Sequence, residues 1–146
     1  RDWSSDVCSS DLDAQHLAGE LVGRYLRDRR PAAAVALTSD AGILTAVAND
    51  YGFDAVFARQ VEALGRPGDV AVGITTSGAS ANVTAALVKA RALGLATIAL
   101  TRRDGGESGR VVDVHLNVPS GSTPRVQEVH RTMLHVLCEL IERGLQ

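Results

Sequence analysis

The sequence predicts an α/β fold, a three-layer αβα sandwich in which helices cover both faces of a parallel sheet. Short apolar runs alternate with amphipathic stretches from Asp13 onward, the pattern of repeated strand–helix–strand units. Aromatic residues are only 3% of the chain against 45% hydrophobic, so the core must be built from Ala, Val, Leu and Ile. That composition suits parallel strands buried on both faces. With 146 residues, the chain is sized for one domain with a real core.

Arg1–Leu12 stands apart. It reads RDWSSDVCSSDL, lacks an initiator Met, shows no helix or strand period and holds the one Trp. We expect it to be a non-native or disordered tail, because it resembles translated sequencing adapter; the domain proper is then 13–146. From Asp13 to about Arg29, Leu17, Leu21, Val22, Tyr25 and Leu26 recur at helical spacing, and Pro31 ends the helix. Ala33–Thr38 reads as a strand. Ile43–Ala48 and Phe53–Leu64 read as helices interrupted at Asn49–Gly52. Gly65–Asp69 is a turn, Val70–Thr75 a strand, Ala81–Leu93 a helix and Ala96–Thr101 a strand. A loop at Asp104–Gly106 with a short helix leads to a strand at Val114–Val118. A long helix from Pro124 to about Arg143 closes the chain.

The balance of charge narrows the partners. A formal net charge of −2 supplies no general attraction to nucleic acid or anionic membranes. Few rings are available to stack on bases, and no apolar run approaches the roughly 20 residues of a membrane span. Cys8 and Cys138 form no metal or disulfide spacing pattern, and no signal peptide is visible. A reducing cytoplasm is the plain expectation.

In parallel sheets of this kind, ligands sit beyond the carboxyl ends of the strands. Those ends are rich in hydroxyls and glycine, above all Gly73-Ile74-Thr75-Thr76-Ser77-Gly78-Ala79-Ser80. Where a strand runs into a helix, such a loop offers an anion cradle of hydroxyls and amide N–H groups. An ordinary turn with a Ser N-cap has the same pattern. Neither a Walker lysine nor GxGxxG is present. On the first helix, His16 and Glu20 are four apart and face one way, with Gly19 and Gly23 beside them. That stripe reads either as a solvated polar face or as a site. On the last helix, Val126, Val129, Met133, Leu137, Leu140 and Ile141 define the expected buried side. His135 then falls nearly opposite, near Glu128, Glu139 and Glu142, with Gln127 at the border. So placed, His135 reaches chemistry only where another subunit covers it. Asn49-Asp50 reads as a turn.

Together, DAQHLAGELVGRY at 13–25, ILTAVANDYGFDAVFARQVEALGRPGDV at 43–70, GITTSGASANV at 73–83, ALTRRDGG at 99–106 and RVQEVHRTMLHVLCELIE at 125–142 resemble the sugar isomerase (SIS) domain. Within it they resemble the phosphoheptose isomerase family. The resemblance implies conversion of sedoheptulose 7-phosphate to glycero-manno-heptose 7-phosphate, for bacterial surface heptose synthesis. It implies Glu20 as the base that moves a proton between two carbons through an enediol, and His135 as the partner acid. His16, Glu20, Gln127 and His135 match zinc ligands, one ion per subunit. Glu20, Asn49, Asp50, Thr75, Thr76, Ser77, Ser80 and Gln127 match substrate contacts. The family is a cytoplasmic homotetramer with sites at subunit interfaces.

Two departures accompany the resemblance. The family's first helix, first strand and Gly-Asn-Gly-Gly-Ser loop are missing before Asp13, and Pro124 stands where a small or acidic residue is usual. A non-enzymatic relative, the DnaA initiator-associating protein, is the alternative. It differs at the positions of Ser77 and His135, and this chain keeps the isomerase residue at both.

Overall fold

The computed structural model describes residues 7–145. In chain order the elements are α1 (Val7–Val22), α2 (Ala41–Tyr51), a 3-10 turn (Phe53–Ala55), α3 (Val56–Leu64) and β1 (Val70–Ile74). There follow α4 (Ala81–Ala92), β2 (Ala96–Arg102), α5 (Gly106–Arg110), β3 (Val114–Val118) and α6 (Thr123–Gly144). The three strands pair in parallel in the order β1-β2-β3, with Val72 opposite Ile98 and Leu100 opposite Leu116.

Strand residues alternate between the two faces, and the two faces carry different side chains. One presents Val72, Ile74, Ile98, Leu100 and Leu116 to Ala14 and Leu17 of α1 and to Met133, Leu134 and Leu137 of α6. The other carries small residues, so α4 comes close. A Cβ on Gly73 would meet Leu87 Cδ1 at 2.8 Å and Val83 Cγ1 at 2.9 Å. Beneath α4, Val61, Ala90 and Leu95 form a second core with Leu37, Ala71 and Leu93. The result is the expected three layers.

Three expectations change. First, α1 ends at Val22 rather than near Arg29. The Arg29 guanidinium turns back to take the carbonyls of Glu20 at 2.8 Å and Leu21 at 2.9 Å, so the chain reverses and supplies its own C-terminal cap. Second, Ala33–Thr38 is not a strand. Its bonds go elsewhere: Leu37 O accepts from the Gln60 amide at 3.0 Å, and β1 pairs with β2 alone. The sheet therefore has three strands among the described residues, not four. Third, the buried row of α6 is Val126, His130, Leu134, Cys138 and Glu142, an i, i+4 series rotated from the expected side. Val129 and Leu140, expected inside, are exposed.

Asn49 and Asp50 end α2 rather than breaking it. The break falls at Gly52, whose φ of 86° is in the left-handed region that suits glycine. The helical part of Arg1–Leu12, Val7–Leu12, continues into α1 without interruption; residues 1–6 lie outside the described residues. Among the described residues, no helix is long and apolar enough to cross a membrane.

Candidate functional site

Two clusters gather most of the residues singled out from the sequence. The first joins α1 to α6. His16 Nε2 lies 3.1 Å from Glu20 Oε1 across one helical turn. His135 Nε2 comes to 3.4 Å from His16 Nε2, the rings meeting edge to face at 5.1 Å. Tyr25, in the segment after α1, stacks on the other side of His135, with centroids 5.4 Å apart and planes 28° apart. His135 is thus half-buried beneath α1 of its own chain, where the sequence reading needed a neighbouring subunit. The physical reason is the rotation of α6, which brings position 135 beside the buried row instead of opposite it.

Asp13 fixes the same two helices together. Its carboxylate is 3% exposed and lies 2.9 Å from the Arg131 guanidinium. Next to Arg131 on α6, His130 is fully buried, with Nε2 2.9 Å from the carbonyl of Thr101 on β2. A carbonyl only accepts, so this nitrogen carries the proton. Burial pushes the imidazole below its ordinary pKa, against the Thr101 carbonyl and the Asp13 carboxylate, which raise it.

The second cluster is the hydroxyl loop between β1 and α4. Thr75 Oγ1 lies 2.9 Å from Ser80 Oγ and 3.4 Å from Ser77 Oγ, and Ser77 Oγ accepts from Ala79 N at 3.2 Å. Thr75 and Thr76 are buried. Ser80 occupies the N-cap position of α4 but makes no side-chain cap bond, because its hydroxyl is turned toward Thr75. The plain Ser N-cap alternative therefore does not describe this loop; in the first turn of α4 it is Asn82 Oδ1 that accepts, from Val83 N at 2.8 Å. Gly78, at φ 69°, abuts Gly105 and Gly106 so closely that any Cβ there would strike the Gly105 carbonyl. Ser108 N donates to Gly78 O at 3.0 Å, which ties α5 to the loop.

Asn49 and Asp50 bond to each other at 2.9 Å on the exposed end of α2, away from both hydrogen-bonded clusters. Gln127 lies two helical turns before His135 on α6, about 12 Å along the axis. It is half-buried and has a polar partner of its own.

Sequence reasoning missed Tyr25, His130 and His115. Tyr25 was placed on an apolar stripe, and only the early end of α1 sends it to His135. His115 Nε2 lies 2.6 Å from Thr101 Oγ1, and its ring fills the space left by Gly105 and Gly109. Strand register was the available signal, since His115 and Thr101 fall on the same face of adjacent strands.

A donor set of two imidazoles and a carboxylate suits zinc. Bonds of about 2.0–2.1 Å at tetrahedral angles place ligand atoms roughly 3.3 Å apart. The 3.1 Å and 3.4 Å separations give two edges of such a group. Among the described residues, no three His, Cys, Asp or Glu side chains close into a complete one.

A parallel αβα sandwich with a hydroxyl loop at a strand end is compatible with the SIS domain, and the profile of that domain matches residues 8–102. Two relatives narrow it. The chain is 57% identical over 136 residues to the phosphoheptose isomerase of Geotalea daltonii, covering 93% of this chain and 71% of that protein. It is 58% identical over 133 residues to that of Aquifex aeolicus, covering 91% and 70%. The solved phosphoheptose isomerase GmhA from Neisseria gonorrhoeae superposes with a TM-score of 0.86 at 50% identity, covering 92% of this chain and 72% of that one. The chain belongs to the phosphoheptose isomerase family.

Proposed function

We propose that this protein interconverts sedoheptulose 7-phosphate and D-glycero-D-manno-heptose 7-phosphate, an aldose–ketose isomerisation that feeds bacterial surface heptose synthesis. The observation that carries the reading is the His16–Glu20–His135 cluster, in a chain 57% identical to a phosphoheptose isomerase. Glu20 takes the proton from the carbon beside the carbonyl, giving an enediol, and delivers a proton, exchangeable with solvent at this stage, to the neighbouring carbon. A carboxylate can do this when positioned within hydrogen-bond reach of the carbon acid. His135 gives a proton to one sugar oxygen and accepts one from the other. Its contact with His16 and the face of Tyr25 supports a fixed ring orientation. Thr75, Thr76, Ser77 and Ser80 take the phosphate, a role supported by their gathered hydroxyls at the start of α4. Asn49, Asp50 and Gln127 lie outside these clusters, and their sugar contacts rest on the family resemblance alone.

His16, Glu20 and His135 are the residues that would hold zinc, one ion per subunit; Gln127, the fourth ligand the resemblance implies, lies two helical turns from His135 and would have to reach in. When bound, zinc polarises the sugar carbonyl and withdraws charge from its oxygen. The enzyme works in the cytoplasm as a homotetramer. Support for assembly comes from α6, where Val129, Val136 and Leu140 stay exposed on neighbouring turns, an apolar stripe of the kind that marks interfaces.

The test is a turnover assay on the protein expressed from its complete gene. Sedoheptulose 7-phosphate should yield the aldose, and exhaustive chelation should lower the rate until zinc is returned. Absence of aldose removes the isomerase reading in favour of a non-catalytic binding protein. Full turnover after chelation removes the metal.

A further inference from the structure

One buried ion pair lies outside the proposed chemistry. The side chains of Arg29 and Glu142 are 6% and 2% exposed, with Arg29 Nε 3.3 Å from Glu142 Oε1. Glu142 Oε1 accepts from Tyr25 N at 2.7 Å, and Oε2 accepts from Leu26 N at 3.1 Å and Arg27 N at 3.2 Å. The Arg29 fork donates to Glu20 O at 2.8 Å and Leu21 O at 2.9 Å, and more loosely to Gly23 O and Arg30 O.

Pairing two buried charges is a weak route to stability, because their desolvation offsets much of their attraction. Directed, charge-assisted hydrogen bonds do fix geometry. Here they end at two informative places. One is the backbone of Glu20. The other is the backbone of Tyr25, whose ring lies against His135. The reversal after α1 has no helix or strand ladder of its own, and besides these bonds only a backbone contact, Ala32 N to Leu21 O at 3.0 Å, is seen to close it among the described residues.

We infer that Arg29 and Glu142 are positioning residues for the isomerase site: they hold the Glu20 turn of α1 and press Tyr25 against His135, fixing the two proton-transfer groups relative to each other. The inference rests on the assignment of Glu20 and His135 above. Tyr25 acts as a spacer through its ring face, not through its hydroxyl.

The experiment compares wild type with Tyr25→Phe, Tyr25→Leu and Glu142→Gln in the protein expressed from its complete gene. It reads kcat, KM, thermal midpoint and the NMR signal of the His135 ring C–H, which the Tyr25 face displaces upfield. Tyr25→Leu and Glu142→Gln should lower kcat by about 10- to 100-fold, the usual effect of residues that orient a ligand or catalyst. KM should change far less, and the His135 signal should lose its displacement. Tyr25→Phe should keep both. A lower thermal midpoint with unchanged kcat and an unchanged His135 signal would show a purely structural ion pair and overturn the inference. Should Glu142→Gln not fold, Tyr25→Leu decides alone. The NMR signal is read without substrate, so an absence of wild-type turnover sinks the isomerase reading and leaves the geometric claim to be judged by the signal.

Discussion

Glu20 needs little from the rest of the protein to meet His16, since i, i+4 spacing on a helix puts the two side chains together. That pair was legible in the sequence. Its third member came only from the family resemblance and not from spacing, because His135 joins through the packing of α1 on α6. His130 was missed for a different reason: a histidine reads as polar, yet one carbonyl bond from Thr101 lets it sit in the core. Its titration has a consequence. The unfolded chain takes up this proton near the ordinary value of about 6.5, while the folded protein, with its pKa lowered, takes it up only at lower pH. Stability is therefore full above about pH 6.5, falls as pH drops toward the folded value, and levels off below it. Denaturant midpoints across that window should show the slope, and His130→Gln should flatten it. A wild-type midpoint that does not move between neutral and mildly acidic pH would contradict this. Glu142 acts lower on the scale. Burial pushes its carboxyl up, but the N–H groups of Tyr25, Leu26 and Arg27 and the Arg29 cation outweigh that and hold it below the ordinary value.

Among the elements, strands were the most legible. β3 matches the expected Val114–Val118 residue for residue, and β1 and β2 shift by one residue at an end, because short apolar runs between turn residues leave little freedom. Ala33–Thr38 has the same composition and is no strand, since a strand needs a neighbour and composition does not reveal one. α6 was placed correctly and rotated wrongly. Hydropathy favoured Val129, Leu140 and Ile141 as its buried side, whereas His130 and Glu142 are inside because their polar atoms are satisfied there. The rotation is measurable. Leu134, 1% exposed between Ile74 and Leu100, should cost about 2–5 kcal/mol when cut to Ala. Val129→Ala, at 39% exposure in the single chain, should cost less than about 1 kcal/mol at dilutions where the chain is monomeric. Urea unfolding of both variants checks the order, and the reverse order would restore the sequence-based face.

At the scale of the whole molecule, α6 carries two duties. Its inner row holds it to the sheet and to α1, and its outer stripe of Val129, Val136 and Leu140 remains uncovered in a single chain. If that stripe assembles the tetramer, Val136→Glu or Leu140→Glu should shift the mass seen by light scattering to smaller species at unchanged helix content. An unaltered mass would move the interface elsewhere. The layered architecture was readable from alternation alone, and the sugar-phosphate site from motif resemblance. The coupling between its two halves was not readable, because it runs through Glu142 and Tyr25, which meet Arg29, His135 and each other across more than a hundred positions of chain.

The account turns on proton transfer by Glu20, and isomerisation of sedoheptulose 7-phosphate in deuterated water tests it most directly. The wild type should form aldose carrying solvent deuterium at the second carbon, and Glu20→Gln should slow this by about 10²- to 10⁴-fold while keeping its thermal midpoint. A folded Glu20→Gln protein that makes the aldose at the wild-type rate would contradict the account.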